Sequence, residues 1–174
     1  YGFGITPSYF SWGLLSKEMI AELGFDEAQF GLVFSVFVLL YSIVGPAVSV
    51  GQRAIGIRSV MVLGACSTAF GLFLMSRAST VWECVIGYSI LGGAGIGFTT
   101  IIPCQTLAQN WFSERKALVT AIILASGGIV GVFWPKIVQW ILDAEGWRTA
   151  WLVIAAISAG VAMLAAVFVR ERPE

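Results

Sequence analysis

Six stretches of this chain contain no charged residue: 1–16, 28–52, 59–76, 84–113, 117–135 and 149–169. A helix needs about 20 apolar residues to cross a hydrocarbon core of about 30 Å, and each run lies near or beyond that length. A soluble domain is about one quarter charged. This chain of 174 residues is 11% charged and 58% hydrophobic, with mean hydropathy +0.89. A soluble core of that size has too little interior to hide so much apolar surface, so lipid is the expected solvent. The runs are continuous rather than alternating, which favours helices over a barrel. The expected fold is an all-α membrane protein. It is one six-helix transmembrane domain over 1–174, with helices near 1–19, 28–51, 58–76, 81–107, 117–141 and 148–169. The connections are short, so sequence neighbours should pack as antiparallel pairs.

Several function classes are disfavoured. Net charge is zero, which gives no basic face for nucleic acid. There is no histidine, and Cys66, Cys84 and Cys104 are scattered through apolar runs. Neither a metal site nor a disulfide framework follows from that spacing; the cysteines read as small core hydrophobes. No nucleophile–base pair, phosphate loop or carboxylate pair is visible, so no enzymatic activity and no cofactor are expected. The chain opens in an apolar run without a basic leader and without an initiator Met. No cleavable signal is therefore visible, and the natural start stays open.

Local signals mark helix starts. Asp26 with Gln29, and Thr80 with Glu83, have capping-box spacing for the second and fourth helices. Ser113 can cap the fifth. Orientation follows from Lys and Arg. Arg53, Arg58, Arg115, Lys116, Arg170 and Arg172 fall on one side, against Lys17, Arg77 and Arg148 on the other. Six cations against three put both termini and the loops 52–58 and 108–116 in the cytoplasm. Trp82, Trp111, Trp140 and Trp147 fall near expected interfaces, where aromatic belts form.

Within the spans, Gly93 and Gly97, and Gly127 and Gly131, stand four residues apart, a spacing that lets backbones approach closely. Tight packing and sliding against a partner both remain open. Pro46, Pro103 and Pro135 favour kinks in the second, fourth and fifth helices. Lys136 is the ionisable residue set inside a span; it either snorkels to the outer surface or faces a cavity. Glu83 reads as a cap. Tyr9, Tyr41, Tyr88, Thr99, Thr100, Gln105 and Ser126 are the remaining cavity candidates, with Tyr41 and Gln105 the costliest to leave unpaired in lipid.

Several fragments, in this order, carry a resemblance: GFDEAQFGLVFSVFVLLYSIVGP (24–46), GIR (56–58), NWFSERKALVTAI (110–122), EGWRTAW (145–151) and the exit VRERPE. The chain resembles the N-terminal six-helix half of a major facilitator superfamily transporter. It is most similar to organic-anion carriers, namely the oxalate/formate antiporter, monocarboxylate and anion:cation symporter groups. YGFGITPSYFSWGLL (1–15) resembles the first helix of the first two.

The resemblance implies two three-helix repeats, a cavity lined by helices one, two, four and five, and a second six-helix half as partner. It implies alternating access for a small organic solute, a carboxylate by similarity, coupled to a proton or counter-solute. It also implies an integral protein of the plasma membrane, the inner membrane in a bacterium. Arg53, Gly56, Arg58, Arg115 and Lys116 fall on its gating loops. Two departures stand out. The loop motif's usual Asp falls on Arg53 and its Arg on Ala54, and the fourth helix lacks an arginine between Tyr88 and Leu91. An anion-binding cation must then come from elsewhere, or Lys136 substitutes. The altered loop leaves one alternative reading, a non-transporting assembly factor or receptor-like binder on the same scaffold.

Overall fold

A computed structural model of the chain describes residues 1–112 and 115–169. Every regular element among them is helical. Helix α1 (Gly2–Leu23) stops at Gly24, whose left-handed φ of 67° ends the turn without a Cβ penalty. Helix α2 (Glu27–Ile43) opens with the Asp26 N–H donating to Gln29 Oε1 at 3.2 Å. At Val44 the chain turns into α3 (Gly45–Ile55), bent by 48° from α2, with Pro46 in the first turn of α3. A proline there gives up an N–H that would be unpaired anyway.

Helix α4 (Ile57–Ser76) follows. Helix α5 (Val81–Cys84) runs into a π-helical stretch, Val85–Gly93, then α6 (Ala94–Thr99) and α7 (Ile101–Trp111). Thr80 Oγ1 accepts the Glu83 N–H at 3.3 Å, while Glu83 Oε2 accepts the N–H groups of Ser79 and Thr80 at 2.7 and 3.1 Å. Glu83 therefore acts as a cap. Thr100 interrupts the fourth span with non-helical torsions just before Pro103. The break accommodates the N–H that Pro103 lacks. Beside it, Thr99 O accepts a weak bond from Cys104 Sγ at 3.7 Å.

Helix α8 (Lys116–Phe168) covers two of the expected spans. Gly146, with φ 83° and ψ 176°, lies outside the helical region and divides it. The chain doubles back there, since Val119, Ile122 and Phe168 line one cavity beside Trp111. Pro135 lies inside α8, and the departure from helical torsions falls at Gly146. The expected cap Ser113, and Arg170 and Arg172, lie outside the described residues.

Among the described residues, three helices are long and apolar enough to cross a bilayer: α4, Val81–Trp111 and α8. The bent pair α2–α3 makes a fourth. Large apolar side chains such as Leu63, Phe70, Met163, Leu164 and Phe168 are exposed. In water such a surface would aggregate; in lipid it is the solvated one. Trp82, Trp111 and Trp140 are exposed near helix ends, as a belt requires. Trp147 is not: it is 3% exposed, and its Nε1 donates to Glu22 Oε2 at 2.6 Å. Arg148 pairs with the same carboxylate and lies 4.2 Å over the Trp147 ring. These bonds, Arg148 first, depress the pKa of the Glu22 carboxyl, which stands beyond the apolar run of α1, and join the end of α1 to the corner of α8. Cys84 is buried and Cys104 half-buried, but Cys66 is exposed on α4, so it is not a core residue.

Helix α4 approaches the Val81–Trp111 stretch backbone to backbone. A Cβ on Gly64 would stand 2.7 Å from Gly95 O, and one on Gly95 2.6 Å from Gly64 O. Gly87 repeats this against Gly71 O at 2.7 Å. Backbone meets backbone there, as small residues permit in lipid. The pairs singled out in the sequence are looser or face side chains: Gly93 meets Phe37 O at 3.1 Å, and Gly131 meets the Phe10 ring at 3.5 Å. Gly95→Ala should lower the unfolding free energy in detergent by about 1–3 kcal/mol, the usual overpacking cost. Gly160→Ala, where no atom lies within 4 Å, should leave it unchanged. Equal effects of the two substitutions on thermal and chemical unfolding would contradict the seam.

Candidate functional site

On α2, Phe30, Phe34, Phe37 and Tyr41 follow one another at helical spacing and form a single aromatic stripe. Phe37 is its centre and is fully buried. The Tyr88 ring stacks on it at 4.6 Å, Tyr41 lies parallel at 6.4 Å, and Tyr9 approaches at 6.4 Å. Trp12 of α1 stacks on Tyr88 at 4.3 Å and on Phe30 at 5.3 Å. Each such pair adds about 0.5–1.5 kcal/mol beyond area burial. Three of the tyrosines expected near a cavity are thus gathered around Phe37, which was not among the expected site residues. The stripe's i, i+4, i+7, i+11 spacing was the available signal.

Their roles differ. Tyr88 is wholly buried, and its hydroxyl donates to Ser8 O at 3.0 Å, tying the π-helical stretch to α1. Ser89 Oγ donates to Val33 O at 2.6 Å, and Ser67 Oγ reaches Leu91 O at 3.0 Å. The π-helical stretch is therefore bonded to α1, α2 and α4 through three side chains. Such stretches recur at functional sites because the widened turn re-aims side chains. Tyr9 is 42% exposed and Tyr41 half-buried, so these two rings carry the stripe from the core to an open face.

That face is completed by α1 and the first part of α8. Ile5, Thr6, Tyr9 and Phe10 from α1, with Leu124, Gly127 and Gly128, line a hollow of about 270 Å³. Thr6 Oγ1 donates to Gly127 O at 3.2 Å, and Trp134 Nε1 donates to Ser11 Oγ at 2.8 Å, which locks α1 to α8. Ser126 lines a neighbouring apolar cavity of about 490 Å³ with Cys104 and Leu107.

The remaining candidates are placed as follows. Ser126 Oγ donates to Ile123 O at 2.6 Å, and Thr99 Oγ1 donates to Ile96 O at 3.1 Å, each within its own helix as lone hydroxyls in lipid tend to do. Thr100 is buried at the helix break, and its hydroxyl has no partner among the described residues. Gln105 is half-buried on α7, and Lys136 is exposed on α8. Arg53, Gly56 and Arg58 stand at the α3–α4 corner, where Gly56 takes φ 84°. Arg115 and Lys116 are exposed at the start of α8.

Comparison with known proteins decides what kind of scaffold this is. A model of the Major Facilitator Superfamily matches residues 2–174. The chain belongs to that superfamily. It is a family of transporters rather than enzymes, and this member is an integral membrane protein resembling organic-anion carriers. Monocarboxylate transporter 13 of Rattus norvegicus is 26% identical over 156 residues, covering 90% of this chain and 36% of the relative. Monocarboxylate transporter 14 of Homo sapiens is 23% identical, covering 88% and 30%. Monocarboxylate transporter 1 of Mus musculus is 23% identical, covering 81% and 28%. The chain thus spans about a third of the length of these curated relatives.

In this superfamily member the π-helical hub should be held by its tyrosine bond. Tyr88→Phe keeps the ring stack and leaves Ser8 O without its donor. It should cost about 1 kcal/mol, while Tyr88→Ala, which also empties the space around Phe37, should cost about 3–5 kcal/mol. Reversible unfolding in detergent measures both; a Tyr88→Phe cost equal to that of Tyr88→Ala would contradict this division.

Proposed function

We propose that this chain is the N-terminal half of a secondary active transporter that moves a small organic solute, a carboxylate, by alternating access. The observation that carries the reading is the superfamily match over 2–174 in a chain about one third as long as relatives named monocarboxylate transporters. The domain crosses the membrane six times. Helix α8 has 53 residues. At about 1.5 Å per residue it is about 80 Å long, far more than one crossing needs. Its reversal at Gly146 divides it into two. With α1, the α2–α3 pair, α4 and Val81–Trp111, that makes six. The cation bias puts the 52–58 and 108–116 loops and both termini on the cytoplasmic side of the plasma membrane, an inner membrane in a bacterium.

A second six-helix half covers the open face formed by α1, α2 and the first part of α8. The half moves as a rigid body, because the glycine seam and the π-helical hub bind α1, α2 and α4 together. The solute lies against Tyr9 and Tyr41, with Thr100, Gln105 and Ser126 toward the helix break and Lys136 of α8 as its cation. The wall is aromatic and apolar, which suits the body of a short carboxylate more than its charge. The driving gradient is that of a proton or a counter-solute.

Uptake by the full-length chain in proteoliposomes tests this. Short monocarboxylates should enter saturably and exchange in counterflow. Tyr41→Ala and Lys136→Ala should each lower uptake about tenfold or more, the loss of about 1.4 kcal/mol. Uptake that neither saturates nor responds to these substitutions would overturn the reading.

A further inference from the structure

The apolar cavity of about 490 Å³ beside Trp111 lies at the end of the bundle that carries Arg115 and Lys116. Tyr1 at the start of α1, Cys104 and Leu107 of α7, Val119 and Ile122 of α8, and Phe168 at the far end of α8 form its walls. No carboxylate lines it among the described residues. Ser126 Oγ donates to Ile123 O and Cys104 Sγ to Thr99 O, so these two polar side chains turn back on the backbone of their own spans. Phe112, Ile122 and Phe168 at its rim are exposed by half or more. An apolar hollow with an exposed apolar rim calls for an apolar occupant.

Charge and length narrow what that occupant is. On α8, Arg115, Val119, Ile122 and Ser126 follow one another at helical spacing, so they share one face. The Val119 N–H donates to Arg115 O at 3.1 Å, which sets Arg115 one turn before the cavity wall. Lys116 stands three residues before Val119. Both cations are exposed, and neither forms an ion pair among the described residues. The connection 112–116 holds these two cations against one acid, Glu114, a net charge of +1. From Lys116 to Ser126 the helix rises about 15 Å, at about 1.5 Å per residue. That is about half of a hydrocarbon core of about 30 Å, the share of one leaflet.

We propose that this cavity holds one acyl chain of an anionic phospholipid, with the lipid's phosphate on Arg115 and Lys116. The hollow takes the chain and the two cations take the headgroup. The second chain stays in the bilayer beyond the exposed rim at Ile122 and Phe168. The membrane around the protein is itself the source of the lipid. Cations beside a bilayer surface attract anionic lipid, and a phosphate accepts charge-assisted hydrogen bonds from an arginine. A zwitterionic lipid fits the hollow equally but lacks the net charge. The inference requires only that this end of the bundle meets one bilayer surface, whichever side that is. It does not depend on what the protein transports.

Photolabelling of the full-length protein in phosphatidylcholine vesicles tests this, with a trace of phosphatidylglycerol carrying a diazirine in one acyl chain as the probe. After illumination, peptide mapping should place the label on segments 104–112 and 119–126. Unlabelled phosphatidylglycerol should compete, and the same amount of extra phosphatidylcholine should not. Arg115→Gln with Lys116→Gln should lower the label on these segments about tenfold and leave the label on lipid-facing α4 unchanged. Arg115→Lys should retain it. Ala108→Phe, which fills the cavity from α7, should also remove it; the exposed cation pair gives a reading that does not depend on that packing change. Label spread evenly over the lipid-facing helices, or label in the cavity indifferent to the charge substitutions, would overturn the proposal. So would competition by palmitate as strong as by phosphatidylglycerol, which makes the occupant a free fatty acid, or an unlabelled cavity, which leaves it to another segment of the protein. Uptake in the same vesicles separates the two readings: cavity label without uptake counts against transport alone, and uptake with evenly spread label counts against this site alone.

Discussion

Hydrocarbon offers no partner to an amide, so each polar group in this bundle must be satisfied by the protein itself. That constraint explains where its side-chain hydrogen bonds go. Many end on backbone carbonyl oxygens: Tyr88 on Ser8, Ser89 on Val33, Ser67 on Leu91, Thr6 on Gly127. The first three radiate from or converge on Val85–Gly93, where π-helical turns shift the carbonyl ladder and need help from neighbours. Around that hub the glycine seam brings α4 to backbone contact, and the Trp12–Tyr88–Phe37 stack fills the space toward α1 and α2. The result is a stiff body with one aromatic face left open.

Stiffness and the open face bear on function together. A domain that rocks as a unit needs its internal contacts stronger than those it exchanges with a partner. The Glu22–Trp147–Arg148 cluster adds a tie at one end of the bundle, joining α1 to the corner at Gly146. At the opposite end, the α3–α4 corner carries Arg53 and Arg58 and, among the described residues, no such tie to α1.

Much of this was legible in the residues. The charge-free runs announced helices in lipid, and the capping spacings at Asp26 and Thr80 mark helix starts that the structure contains. The ordered loop fragments pointed to the superfamily that the match over 2–174 shows. What stayed hidden depends on tertiary contacts. Composition does not separate a π-helical turn from an α-helical one, and Thr100, rather than Pro103 itself, carries the break. The turn between the two parts of α8 is made at Gly146, where a positive φ suits glycine. The strongest glycine contacts join different helices, Gly64 with Gly95 and Gly71 with Gly87, and no spacing within one helix reveals them. Trp147 looked like a belt residue because position near a span's end cannot tell lipid from a carboxylate partner. The tyrosines stand out for their polarity, whereas Phe37, the residue that gathers them, has none.

The central claim is that the chain lies in lipid and crosses it six times, with the reversal at Gly146 counted as a turn between crossings. Labelling single engineered thiols with a membrane-impermeant reagent in sealed, oriented vesicles tests this most directly. Positions 54 and 115 should react from one side only, the cytoplasmic one, and positions 25, 79 and 144 from the other. Reaction of position 144 from the same side as position 54, or of all five from both sides of intact vesicles, would contradict it.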